Sequence, residues 1–190
     1  MRNRDDTVGG FVIRAATIVD AAMLAALGAR TFAQAYAHAN TADDMRAHLL
    51  RTFSETLQAE ELIDPNLRTW LVEPTGHDRD ETIRNASEAF GYARVRRGSG
   101  APCVRFSAPV ELEAIYVDAS RQGGGAGAAL VDAAVEQAKY WGCDGIWLGV
   151  WEHNPRAIAF YERMGFTMAG SIPFELGSDL QTDLVMTRSL

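Results

Sequence analysis

Residues 121–128 read Arg121-Gln122-Gly123-Gly124-Gly125-Ala126-Gly127-Ala128. A strand-like run, VELEAIYV at 110–117, stops just before them. An Ala-rich stretch with Leu130, Ala133, Ala134 and Ala138 at helical spacing follows. A helix start leaves main-chain N–H groups without intrahelical partners, and the helix dipole favours an anion there. Glycines let the chain come close to a diphosphate and aim several N–H groups at it. A flexible loop ahead of a helix has the same composition, so residue types alone leave both readings open.

Three phosphate-holding forms compete for this turn. A Walker A loop needs Gly-Lys-Ser/Thr, but the single lysine of the chain is Lys139. A dinucleotide fingerprint fits loosely as Gly123-x-Gly125-x-x-Ala128, and it wants an acid about 20 residues on; Trp147 stands there. A coenzyme A loop is the third form. Glu111 and Glu113 supply a different chemistry. Two residues apart on one strand, they share a face, where paired carboxylates draw in a cation and take a proton from it, and mutual repulsion raises one pKa. Exposed charges on a sheet face would look the same. His38, His48, His77 and His153 have no ligand spacing, no Gly-x-Ser-x-Gly elbow is present, and Cys103 and Cys143 show no metal pattern. No metal is expected, and both thiols read as reduced. Trp147 and Trp151 share a strand face, where packing and an acceptor wall are both open. Asp179 and Asp183 read first as a solvated turn, with contact to a polycation the alternative, and Phe32 and Tyr36 as core.

The elements that must carry these residues follow from periodicity and punctuation. FVIRAA (11–16) reads as a strand, and 20–38 as a helix with Met23, Leu24, Leu27, Phe32 and Tyr36 at helical spacing. Thr41 with Asp44, and Ser54 with Glu55, open two more helices. Strands at 69–73 and 89–97 flank a polar stretch, 74–88, read as a hairpin loop. After the strand at 110–117 come the glycine turn, a helix ended by Gly142, and a strand at 145–152. A short helix begins at Asn154-Pro155 and ends at Gly165, and strands at 166–171 and 183–188 close the chain. The order is β-ααα-βββ-α-β-α-ββ, a mixed α/β class in one domain over 1–190.

An apolar fraction of 47% suits a packed core. No apolar run approaches the roughly 18 residues of a membrane span, and the start, MRNRDDTVGG, lacks the apolar region of a secretory signal. A cytoplasmic location without membrane contact is therefore expected. A net charge of −7 speaks against a nucleic-acid surface and leans toward a cationic partner.

Gln122-x-x-Gly125-x-Gly127 resembles the pyrophosphate-binding signature of the GCN5-related N-acetyltransferases. Asn154-x-x-Ala157-Ile158-x-Phe160-Tyr161-x-x-x-Gly165-Phe166 resembles that family's second recurring pattern, in the expected order. The likeness spans roughly residues 10–188. Trp147-Leu148-Gly149-Val150-Trp151-Glu152, the tail from Pro173-Phe174 to Thr182-Asp183, and Asp64-Pro65-Asn66 resemble the bacterial PaiA-type group, which includes spermidine/spermine N-acetyltransferases.

The resemblance implies a mixed sheet of about seven strands with flanking helices, in which the parallel strands at 110–117 and 145–150 splay apart around the pantetheine arm of acetyl-coenzyme A. It implies that main-chain groups of Ile115, Tyr116 and Val117 meet that arm. The N–H groups of Gln122, Gly123, Gly124, Gly125, Ala126, Gly127 and Ala128 would hold the pyrophosphate, and Asn154 and Ala157 would complete the cofactor site. Tyr161 would stand near the sulfur as a proton donor, its ordinary pKa near 10 suiting a thiolate near 8.5. Glu111 lies where several members carry a general base, with Glu113 the alternative. The implied reaction is direct attack of a primary amine on acetyl-coenzyme A in a ternary complex, polyamines such as spermidine being the first acceptors to consider. Acetylation of a protein N-terminus, a lysine or an antibiotic amine, and a non-catalytic regulator that binds acyl-coenzyme A, are the alternatives. A homodimer is in keeping with the family.

Overall fold

The computed structural model describes residues 10–75, 89–98 and 100–190. The loose start expected at 1–9, and all but the first two residues of the loop expected at 74–88, lie outside the described residues. The elements are β1 (Phe11–Ala15), α1 (Ala21–Tyr36), α2 (Ala42–Thr52), α3 (Glu55–Ile63), β2 (Leu67–Pro74), β3 (Gly91–Arg97), β4 (Pro109–Val117), α4 (Ala126–Tyr140), β5 (Gly145–Trp151), α5 (Pro155–Arg163), β6 (Thr167–Leu176) and β7 (Asp179–Ser189). One sheet takes the order β1-β2-β3-β4-β5-β7-β6, antiparallel except where β4 meets β5.

Local chemistry explains the boundaries. Thr41 and Ser54 accept from the N–H groups of Asp44 and Leu57, at 3.2 Å each, and so cap α2 and α3. The helix expected at 20–38 is shorter, because a single 3-10 turn at Ile18–Asp20 precedes α1 and the helix ends at Tyr36. The strands expected at 166–171 and 183–188 are longer. They form one hairpin, turned at Gly177, whose φ of +65° suits glycine. Asp44 holds that turn to the start of α2 by accepting from the Ser178 N–H at 2.7 Å and its hydroxyl at 2.9 Å.

The sheet has a different layer on each face. Leu130, Val131, Ala134, Val135 and Ala138 of α4 pack with Val95, Val110, Leu112, Ile146, Leu148 and Val150. On the other face, Leu24 and Leu27 of α1 meet Leu71, Tyr92, Ala114 and Tyr116. The residues that β4 sends to α4 therefore switch phase, from Val110 and Leu112 to Ile115 and Val117. The switch occurs at a bulge: Arg94 pairs with Ala114 and Val95 with Leu112, which leaves Glu113 as the extra residue.

Candidate active site

β4 and β5 are paired only at Pro109–Gly145, Val110–Ile146 and Glu111–Trp147. Beyond that point β4 runs on to Val117 along β3, and β5 runs on to Trp151 along β7. Their facing edges part, which opens a notch in the middle of the sheet. The bulge at Glu113 bends β4 where the separation begins.

The glycine turn stands at the β4 end of this notch. Gly123 and Gly125 have φ of +89° and +88°, and a Cβ at either would meet nothing within 4 Å. Their backbone thus requires glycine, and their surroundings are open. Gly125 caps α4 with no side-chain acceptor, and no acid occupies the first turn. The first intrahelical bond runs from Ala129 N to Gly125 O at 3.1 Å. The N–H groups of Ala126, Gly127 and Ala128 are left with no intrahelical acceptor. A Cβ on Gly127 would meet Phe160 of α5 at 3.4 Å, an ordinary van der Waals contact.

Three side chains steady the turn. Gln122 donates from Nε2 to the Val117 carbonyl at 3.0 Å, and its own N–H points at Ala119 O at 3.5 Å. Asp118 accepts from Arg30 Nη2 at 2.9 Å and from Gln34 Nε2 at 3.1 Å, both on α1. The Arg30 guanidinium holds the Asp118 carboxyl below its usual range. Arg121 lies over the Phe90 ring at 5.5 Å. It helps line a small cavity of about 120 Å³ with Gly10, Phe11, Gly124 and Ala126.

Tyr161 lies on the α4 face, in the cluster against which Ile115 and Val117 pack. Asn154 Oδ1 accepts from Ala157 N at 3.1 Å, which caps α5 behind Pro155. The Phe166 N–H closes back on the Tyr161 carbonyl at 3.0 Å, and the Tyr161 ring stands edge-on to Phe166 at 5.8 Å. Burial raises the Tyr161 phenol well above its usual pKa, and a charge on Tyr36 adds to this. Its hydroxyl keeps its proton across the physiological range.

From the α1 face come Tyr36, Trp151 and Asp183. Tyr36 and Tyr116 interact through their hydroxyls. The Tyr36 ring is 6.0 Å from Trp151, and Tyr116 stacks on Tyr92 at 5.6 Å. Asp183 pairs in register with Trp151, and its carboxylate lies over Gly149, whose Cβ position is 3.1 Å from Asp183 Oδ2. Glycine at 149 leaves room for that carboxylate. Burial pushes the Asp183 carboxyl up to about 6.

Residues 34–166 match the family model described as "Acetyltransferase (GNAT) family". The chain belongs to the Acetyltransferase (GNAT) family. An uncharacterized N-acetyltransferase of Mycobacterium tuberculosis is 34% identical over 173 residues, covering 91% of this chain and 99% of that one. The spermine/spermidine N(1)-acetyltransferase of Bacillus subtilis is 33% identical over 66 residues, covering 34% of this chain and 43% of that one. In fold, the chain is similar to the PaiA N-acetyltransferase of Thermoplasma acidophilum, solved in complex with coenzyme A, with a TM-score of 0.71 at 15% identity over 95% of this chain and 99% of that one. The protein is an acetyl-CoA-dependent N-acetyltransferase.

Within this GNAT fold the residues singled out in the sequence are divided among several places. Ile115 and Val117 lie on the parted length of β4, Gly123 to Ala128 follow its end, and Tyr161 belongs to the cluster against which Ile115 and Val117 pack. The Tyr116 side chain points to the α1 face, against the cluster of Leu24, Leu27, Leu71 and Tyr92. Asn154 spends Oδ1 on its cap, which leaves its amide NH2 as the part of the side chain that can donate elsewhere. Glu111 sits opposite Trp147 at the closed end of the notch. Glu113 is ion-paired with Arg96 Nε, and Arg96 also bonds Asp64 at 3.2 Å, so this carboxylate is drawn toward β3. Phe32 is core, as expected. Asp183 is no solvated turn; it lies within β7, partly buried, with its carboxylate over Gly149 of the neighbouring strand. Asp179 alone fits the turn reading: it is exposed at the start of β7, and Gln181 Nε2 donates to it at 2.8 Å.

Proposed function

We propose that this chain acetylates the primary amine of a small cationic acceptor, with polyamines such as spermidine and spermine the leading class. The observation that carries the reading is the notch itself. A glycine turn lies at one end, a protonated tyrosine on one face, and a carboxylate and aromatic rings on the other. The short stretch of likeness to the Bacillus subtilis spermine/spermidine enzyme supports the acceptor class.

The residues suit the co-substrate. The positive-φ glycines, the N–H groups at the start of α4 and the Arg121 guanidinium are donors for a diphosphate. Main-chain groups of Ile115, Tyr116 and Val117 on the parted edge of β4 would run along the pantetheine arm, with the Asn154 amide and Ala157 on the α5 side. Bound there, acetyl-coenzyme A supplies a thioester acyl group. Tyr161 would present its hydroxyl to the leaving sulfur. Glu111, at the closed end, stands where it can order water toward the attacking amine. Glu113 is the weaker candidate base, because its ion pair with Arg96 draws its carboxylate toward β3.

A thiol-release assay with acetyl-coenzyme A tests the reading against spermidine, spermine, single amino acids, lysine peptides, peptide N-termini and aminoglycosides. Turnover of polyamines well above the rest is the expected result. Turnover confined to peptides or aminoglycosides would move the acceptor class. Coenzyme binding without turnover of any amine would favour a non-catalytic regulator.

A further inference from the structure

The geometry points to Asp183 as a catalytic residue that receives the acceptor's ammonium in the notch, removes its proton, and so selects alkylamines that arrive charged. This rests on the amine N-acetyltransferase reading above, and it names the group that meets the amine. Three observations carry it.

First, the carboxylate is placed in the opening. Gly149 lies two residues beyond the last paired position of β5, and Asp183 Oδ2 sits 3.1 Å from where a Gly149 Cβ would be. A Cβ at 149 would press on the carboxylate and make it give by a few tenths of an ångström. Second, the carboxylate has no countercharge among the described residues. None of their Arg, Lys or His side chains lies within salt-bridge distance of it. Asp20, Glu61, Asp64, Glu73, Glu113 and Asp118 each have an arginine. A partly buried carboxylate without a cation is costly, and that cost turns into affinity when a cationic ligand arrives. Third, its neighbours fit an alkylammonium. Tyr36 of α1 is close enough to feel the charge of Asp183, and Tyr116 of β4 and Tyr161 of α5 feel that of Tyr36. Trp151 faces Tyr36 and also lies against His38 at 6.5 Å and His153 at 5.4 Å. Aromatic faces stabilise an ammonium by cation–π attraction.

The titratable and charged groups around Asp183 are thus Tyr36, Tyr116 and Tyr161, with His38 and His153 beyond Trp151, and Glu152, whose N–H bonds Thr182 O. From β6 its register partner is Ile172, which carries no charge. Burial is the one resolved cause of the raised Asp183 pKa.

The step balances as follows. The ammonium gives one proton to the Asp183 carboxylate, and the freed nitrogen lone pair forms the N–C bond to the acetyl carbonyl. The C–S bond breaks with its electron pair on sulfur, and the second proton leaving nitrogen ends on the thiol. Amide and coenzyme thiol are the products.

The test compares wild type with Asp183→Asn, using spermidine and, as an acceptor uncharged at neutral pH, aniline, at saturating acetyl-coenzyme A from pH 5 to 10. For wild type, kcat/KM for spermidine should rise through about pH 6 and stay flat until the amine itself titrates near 10. For Asp183→Asn it should fall by about 100-fold at pH 7 and climb one log unit per pH unit toward pH 10, because only the neutral amine then reacts. The preference for spermidine over aniline should shrink at least tenfold. The melting-temperature rise given by coenzyme A should survive in the variant, since the glycine turn is untouched. An unchanged profile in Asp183→Asn with that rise intact overturns this inference and leaves the acetyltransferase reading standing. No coenzyme-induced rise in wild type would instead sink the cofactor site. A wild type that takes only amines uncharged at pH 7, or none, overturns the inference too.

Discussion

Replacing Asp183 by Asn should make the fold more stable at neutral pH, although it removes a polar group's charge from the centre of the sheet. The carboxyl is raised from 3.8 to about 6 by burial. Each pH unit of such a change is worth about 1.4 kcal/mol, so the ceiling is about 3 kcal/mol. Solvent still reaches the carboxylate, and this lowers the expected gain to about 1–2 kcal/mol. The sign follows from linkage. A carboxyl whose folded pKa lies above its unfolded value favours the fold most when both states are protonated, below about pH 4, and that favour is lost as pH rises through about 6. Asn escapes the loss. The gain of Asp183→Asn should therefore be small at pH 4, grow between pH 4 and 6, and be flat above 7. Urea unfolding at pH 4, 5.5 and 8 reads it directly, and the thermal midpoint at pH 8 should rise by about 2–6 °C. A variant equally stable at every pH, or less stable at pH 8, would refute the claim that this carboxylate is buried without compensation.

Gly125→Glu puts a side chain and a negative charge on a positive-φ residue at the mouth of α4; it should erase the melting-temperature rise caused by acetyl-coenzyme A, and a preserved rise would mean the phosphates dock elsewhere. Tyr161→Phe should lower kcat about 10- to 100-fold while changing the acetyl-coenzyme A dissociation constant less than about threefold, read by steady-state kinetics and calorimetry. Arg94 is buried and bonded to Glu61, Gln58 and Thr69; Arg94→Met strands Glu61, whose carboxyl burial already raises, and should cost about 3 kcal/mol in urea unfolding at pH 7.

Much of the architecture was legible. Helical spacing of Leu24, Leu27 and Phe32, the caps Thr41, Ser54 and Asn154, and the end glycines Gly142 and Gly165 are local signals, and the elements follow them. The bulge left a mark that alternation alone overlooked: apolar residues fall at 110 and 112, then at 115 and 117, a slip of one residue at Glu113. Longer-range pairings left none. Arg30 and Gln34 reach Asp118 across more than 80 residues, and Arg96 claims Glu113 from the neighbouring strand. Asp183 read first as a turn residue because Gly177, Ser178 and Asp179 suggest a turn. Its place over Gly149 depends on the β5–β7 register, which no local pattern encodes.

The most direct measurement is a crystal structure of this chain with coenzyme A. Density should show the pyrophosphate against the main-chain N–H groups of residues 123–128 and the pantetheine arm between β4 and β5, ending beside Tyr161. A coenzyme bound elsewhere, or strands β4 and β5 paired beyond Glu111 and Trp147 so that no gap exists, would contradict the account.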